Sequence, residues 1–369
     1  MLFFKKTLGL VGLMSLLTAC PPKKNLPPSP SEKSTSSNKA LPCVDTLTVG
    51  LLSNKLKGVS LVAPPNPFSK DPIASIQQLG GNWVAVLPYA YFKKNQPQIY
   101  GFSKQSWWGE RPEGIAVTTQ YAHQNGVKVL LKPQLWTHDQ WIGELQFETE
   151  EDWRTFEQNY EQFIVQWAKI GDSLEVEMLC VGTELCQVVK KRPQFWKQLL
   201  PKIRQVYQGQ LTYAPNWDSY QEVTFWDQLD YIGVDAYFPL LPTKTPTVCA
   251  LKEAWKPYSQ ELKAFYEQWK KPILFTEYGY LSLDGAAYNT WELEKNRDQV
   301  SINEQAQANA LQALLETFGE EDWWAGGFIW KWYSNHKAIK EQRSHYQAGD
   351  YTPQGKKAEK ILYQLFRSS

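Results

Sequence analysis

Histidine and cysteine are scarce in this chain of 369 residues, and neither is arranged to hold a metal. The four histidines, His123, His138, His336 and His345, are scattered, and no His-Glu-x-x-His pattern occurs. The five cysteines, Cys20, Cys43, Cys180, Cys186 and Cys249, include no Cys-x-x-Cys pair. Zinc chemistry therefore has no positive support. Phosphate-cradling glycine motifs and the signatures of Ser-His-Asp enzymes are missing too, so no cofactor and no metal is expected. An excess of one charge is also lacking. Lys and Arg number 39 against 38 Asp and Glu, a formal charge of +1. A nucleic-acid partner would call for a basic excess, so none is expected. No apolar run reaches the ~18 residues that a membrane span needs.

Aromatic residues are abundant instead. There are 17 Trp and 19 Tyr, and 43% of all residues are hydrophobic. That suffices for a large core. Trp and Tyr also join an apolar face to a polar tip, which suits them to sugars.

The N-terminus reads as an address. Lys5 and Lys6 precede an apolar stretch that ends in Leu17-Thr18-Ala19-Cys20. This has the form of a secretory signal closing on a bacterial lipobox, with residues 1–19 removed and Cys20 acylated. Residues 20–44 are rich in Pro, Ser and Lys and read as a flexible tether. The expected location is outside the cytoplasm, lipid-anchored to the cell envelope through Cys20. Cys180 and Cys186 sit in or beside an apolar segment and read as small core residues.

From residue 45 onward, short apolar runs alternate with stretches of helical period. The expected strands are 58–63, 83–88, 127–133, 176–182, 211–215, 231–237, 272–277 and 327–332. The clearest helices are 152–170, 194–207, 259–269, 303–318 and 355–366. In the first of these, Phe156, Tyr160, Phe163 and Trp167 fall on one face. Eight strand–helix units imply parallel pairing and a single α/β domain over 45–369, a (β/α)₈ TIM barrel. A monomer is expected.

In such a barrel, chemistry sits at the C-terminal ends of the strands. The fourth expected strand runs into Val181-Gly182-Thr183-Glu184-Leu185, and the seventh contains Thr276-Glu277-Tyr278. Either glutamate alone could be a helix N-terminal acid or a buried ion-pair partner. Together they face one another across the barrel mouth. Two carboxylates that flank a bond are what glycoside cleavage requires.

Glutamates on strands four and seven of a barrel resemble the clan-A retaining glycoside hydrolases. The segments KGVSLVAP, SWWGE, KVLLKPQLW, HDQWIGEL, VGTEL, LDYIGVDAYFPL, ILFTEYGY and GGFIWKWY, in that order, resemble glycoside hydrolase family 113, the β-mannanase type. The resemblance covers about residues 56–369. It implies Glu184 as general acid/base, Glu277 as nucleophile and Tyr237 as a hydrogen-bond donor to the nucleophile. It implies Trp330 as the aromatic floor under the sugar at the point of cleavage. A buried lysine needs a partner, so Lys132 is expected either to hold a sugar hydroxyl or to orient an acid. Asn216 and Trp217, after strand five, are candidates for the walls of the sugar subsites. Trp107, Trp108 and Glu110 lie in the loop after strand two, and Trp136 and Trp141 in the loop after strand three. These tryptophans are sugar platforms or lid packing. Thr183 stands where many clan-A enzymes carry Asn. The expected substrate is a β-linked polysaccharide or oligosaccharide, β-1,4-mannan first. The alternatives are another β-glycan, such as a glucan or galactan, and a glycan-binding surface lipoprotein without turnover.

Overall fold

The computed structural model describes residues 47–138, 140–334 and 348–367. The expected leader and tether lie outside them. Eight barrel strands run over Leu56–Val62, Trp83–Val86, Lys128–Leu131, Met178–Thr183, Gln210–Ala214, Ile232–Asp235, Ile273–Tyr278 and Trp324–Tyr333. They are numbered one to eight below. Each expected strand is found, and paired neighbours run parallel. The order around the sheet is five, four, three, two, one, eight, seven, six. Its two edges meet through a parallel bridge between Asn216 and Asp235 and a 2.8 Å hydrogen bond from the Asp235 N–H to the Pro215 carbonyl. The sheet is thus a nearly closed (β/α)₈ barrel.

Strand alternation sorts the side chains. Trp83, Leu130, Met178, Cys180, Leu274 and Phe328 form one buried cluster in the barrel interior. Gly58 makes room for it, because a Cβ there would stand 2.4 Å from the Phe328 ring. The intervening residues, such as Val129, Leu179, Val181, Ile273 and Phe275, join the larger core with the helices. Most of the tryptophans work here rather than in a binding site. Trp196 stacks on Phe225 at 5.3 Å, and Trp255 meets Phe318 edge-on at 5.1 Å. Each large side chain buried in this way stabilises the fold by ~1.5–3 kcal/mol.

The helix Glu150–Ser173 buries the expected stripe Phe156, Tyr160, Phe163 and Trp167. The Thr149 side chain caps its start by accepting from the Asp152 N–H at 3.1 Å. Tyr160 then reaches behind strand four and donates to the Val181 carbonyl at 2.9 Å, which anchors the strand leading to Glu184. The helix expected from residue 259 begins earlier and spans Val248–Trp269 with Pro257 inside it. The Thr247 side chain caps that earlier start. Cys180 and Cys186 are buried thiols outside any disulfide, in keeping with their apolar setting, while Cys249 is disulfide-bonded. A feature missed at the sequence level is a second small sheet. Tyr89–Tyr91 pairs in parallel with Gln134–Trp136, extending strands two and three past the barrel rim.

Candidate active site

Glu277 owes its position to an irregularity in strand seven. Thr276 and Glu277 both point toward the barrel axis: the Thr276 hydroxyl donates to Asp235 Oδ1 at 2.7 Å, and Glu277 meets Lys132. Strict alternation would send one of them outward. The pairing register with strand six slips between Val234 and Asp235, and this bulge turns the carboxylate into the mouth. Glu184 is placed by backbone strain. Its φ of +53° lies in the left-handed region, which costs a residue with a side chain ~1–2 kcal/mol. The turn is fixed on both sides. The Glu184 N–H donates to the Ala214 carbonyl at 2.7 Å, and the Cys186 N–H donates to the Glu184 carbonyl at 2.8 Å. The next N–H, of Leu185, donates to the Tyr213 hydroxyl at 3.0 Å.

Both carboxylates are 5% exposed, yet their surroundings differ. Glu277 is ringed by donors. Oε1 accepts from the Lys132 ammonium and from Gln134 Nε2 at 3.2 Å, and Oε2 accepts from the Tyr237 hydroxyl at 2.8 Å. Lys132 is wholly buried and also pairs with Asp235 Oδ1 at 3.1 Å. Burial alone would lower the pKa of its ammonium. Asp235 and Glu277 outweigh that and hold it above the usual lysine range, so the charge stays. Lys132 is therefore ion-paired with two acids, Asp235 and Glu277.

Glu184 has a single donor, the Trp141 indole N–H, at 2.9 Å from Oε2. Its Oε1 is buried without a hydrogen-bond partner. Burial first, and the Glu277 charge second, push the Glu184 carboxyl up to about 8, against the opposing pull of Trp141 and Lys132. Asp218 adds a smaller upward push.

Glu184, Glu277, Thr183, Trp136 and Trp330 line one cleft, together with Gln134 and Trp141. Trp330 is 6% exposed, and the peptide that follows it is cis. The remaining candidates stand apart from that lining. Asn216 is turned to Asp218, donating to Oδ1 at 2.9 Å. Trp217 stacks on Trp291 with ring centres 6.1 Å apart and packs on Phe238. Trp107 is half-buried and opens the short turn Trp108–Glu110.

Sequence reading missed Gln134 and Asp235 and left Trp141 as a loop tryptophan. Strand periodicity could have found Gln134. Residues 132, 134 and 136 share a face, and all three reach Glu277 or the cleft.

Fold and paired buried carboxylates define the class, a (β/α)₈-barrel glycoside hydrolase. The chain matches the model of Glycoside Hydrolase Family 113 over residues 65–356, and it belongs to that family. No curated protein matches it. Among solved structures it is similar to a family 113 β-1,4-mannanase solved as a complex, with 23% identity and a TM-score of 0.72. That match covers 86% of this chain and all of the other. It is similar to the family 113 β-mannanase of Alicyclobacillus acidocaldarius, solved with ManMIm, at 25% identity and a TM-score of 0.72. Coverage is 86% of this chain and 98% of that one. A β-glucuronidase from Ruminococcus gnavus shares the fold at 13% identity and a TM-score of 0.56, over 84% of this chain and 49% of its own.

Proposed function

We propose that the protein is a retaining β-glycosidase that cleaves β-1,4-mannan by double displacement. Glu277 attacks the anomeric carbon, and Glu184 protonates the leaving oxygen and then activates water. The observation that carries this reading is the asymmetry of the pair. Glu277 sits among three donors, one an ammonium, which is the setting of an anion. Glu184 sits in a drier place that keeps its proton at neutral pH. Opposed environments of this kind separate an acid from a nucleophile. Tyr237, Lys132 and Gln134 hold the nucleophile, and Trp330 supplies an apolar floor for the sugar ring. Mannan is favoured by the β-mannanases among the structural relatives.

We further infer export and anchoring through an acylated Cys20. The lipobox-like Leu17-Thr18-Ala19-Cys20 supports this, and so does the disulfide at Cys249, a bond favoured in oxidising compartments.

The substrate is tested by incubating the purified protein with β-mannan, β-glucan, galactan and xylan and reading new reducing ends. Mannan should react fastest. A different polymer in first place would overturn the mannan assignment. Tight binding of a glycan without release of any reducing end would overturn the enzyme assignment.

The asymmetry also sets a pH dependence. The general acid works while protonated, so kcat/KM should fall as pH rises through about 8. Trp141 stabilises the ionised form of Glu184, so Trp141→Phe should move this basic limb upward by about 1 unit. A limb that stays in place would disconnect Trp141 from the acid.

A further inference from the structure

Lys132 touches two carboxylates, and the two-glutamate chemistry uses one of them. The other is Asp235, the last residue of strand six, and it is fully buried. Its backbone is held by the hydrogen bond to Pro215. Its Oδ1 accepts from the Lys132 ammonium at 3.1 Å and from the Thr276 hydroxyl at 2.7 Å. Oδ2 is buried with no hydrogen-bond partner, so no acceptor stands there to receive a proton. These are the contacts of a carboxylate. Asp235 lies outside the residues that line the cleft, so it does not meet a sugar. A buried acid that reaches no substrate needs another reason for its place.

The movement of charge during the reaction supplies that reason. In the first step a Glu277 oxygen bonds to the anomeric carbon, and the bond from that carbon to the leaving oxygen breaks. The Glu184 proton passes to the leaving oxygen. The negative charge thus moves from Glu277 to Glu184. Among the described residues, Lys132 pairs with Asp235 and Glu277 and not with Glu184. Once Glu277 is a neutral ester, Asp235 is the carboxylate left in contact with the ammonium. Two other titratable groups face this place. Burial pushes the Cys180 thiol up to about 11 and raises the Tyr237 phenol, so both stay neutral. In the resting protein, burial first and the Glu277 charge second push the Asp235 carboxyl up, against the pull of Lys132. Esterification removes the second push, so the pair of Lys132 with Asp235 tightens when it is needed.

We propose that Asp235 is a positioning residue that keeps the Lys132 ammonium paired and in place while Glu277 is esterified. This rests on the retaining-hydrolase reading above and deepens it. A buried ammonium without a counter-charge is costly. Without the Asp235 charge, the first step would lead uphill to an intermediate with such an ammonium. The second step returns the charge to Glu277 beside that ammonium, so it would not be hindered.

The test has two readouts on Asp235→Asn, which keeps the shape and removes the charge. The first is a stability cycle at pH 7 that needs no substrate, with Glu277→Gln standing in for the neutral ester. Asp235→Asn alone should leave Tm within about 2 °C, because Glu277 still pairs with Lys132. Combined with Glu277→Gln, it should lower Tm by about 5 °C or more beyond the sum of the two single changes. A double variant that fails to fold, while both single variants fold, is the same result in its extreme form. Additive changes would overturn the proposal, and so would an Asp235→Asn single variant that does not fold. The second readout uses an activated aryl β-mannoside in the Glu184→Ala background, where no base activates water and the glycosyl-enzyme collects. Adding Asp235→Asn should slow the release of the phenol about 10- to 100-fold. The intermediate, once formed, should react with azide no more slowly than before. Equal slowing of both steps, or of neither, would overturn the proposal. A wild type that cleaves no glycan sinks the hydrolase reading instead. The stability cycle then still decides whether Asp235 holds the ammonium once Glu277 is neutral.

Discussion

Glu277→Ala is expected to lower kcat by about 10⁴-fold or more on every glycan the protein cleaves. The carboxylate supplies the bond-forming electron pair of the first step, so no choice of leaving group compensates for its loss. The fold should persist. Lys132 keeps its ion pair with Asp235, and the variant leaves no buried ammonium without a partner. Alanine also opens a space below the anomeric carbon, beside an ammonium that can hold a small anion. Azide should enter there and restore part of the turnover. It attacks from the face the carboxylate used and is never displaced, so the glycosyl azide should have inverted configuration. Wild-type turnover in this variant would remove Glu277 from the mechanism.

Glu184→Ala should produce a different lesion. Cleavage of a sugar leaving group should fall by about 10²–10⁴-fold, because the departing alkoxide loses its proton donor. An activated phenol departs without a proton, so the first step on an aryl glycoside should be nearly intact. The glycosyl-enzyme then accumulates, since the same residue activates water in the second step. Azide needs no base and should release the intermediate with net retention. The two alanine variants are therefore told apart by the stereochemistry of their azide products. If Glu184→Ala lost activity equally on good and poor leaving groups, Glu184 would not be the acid.

The barrel was legible because buried parallel strands read as short apolar runs, and each carboxylate directly followed or interrupted one. The helix Val248–Trp269 was read too short because Pro257 signals a break in isolation. In the chain, the Thr247 cap and the burial of Leu251 and Trp255 carry the helix through it. The placement of Glu184 was legible, but its conformation was not. No local pattern announces a glutamate at φ +53°, because the hydrogen bond to Ala214 that fixes it comes from the neighbouring strand. Trp141 illustrates the same limit. It is one of 17 tryptophans, and only the three-dimensional arrangement shows that its N–H meets Glu184. Lys132 was legible as a buried cation in need of a partner. Asp235 was hidden inside an apolar strand, and it completes the pair only once strands three and six face each other across the barrel.

The most direct test of the account is the anomeric configuration of the first product released by the wild-type protein from β-1,4-mannan. Proton NMR can follow the new reducing end before mutarotation scrambles it. Double displacement through Glu277, with Glu184 as acid and then base, predicts that the β-anomer appears first and the α-anomer grows in later. If the α-anomer appeared first, water would be attacking directly, and Glu277 could not be a covalent nucleophile.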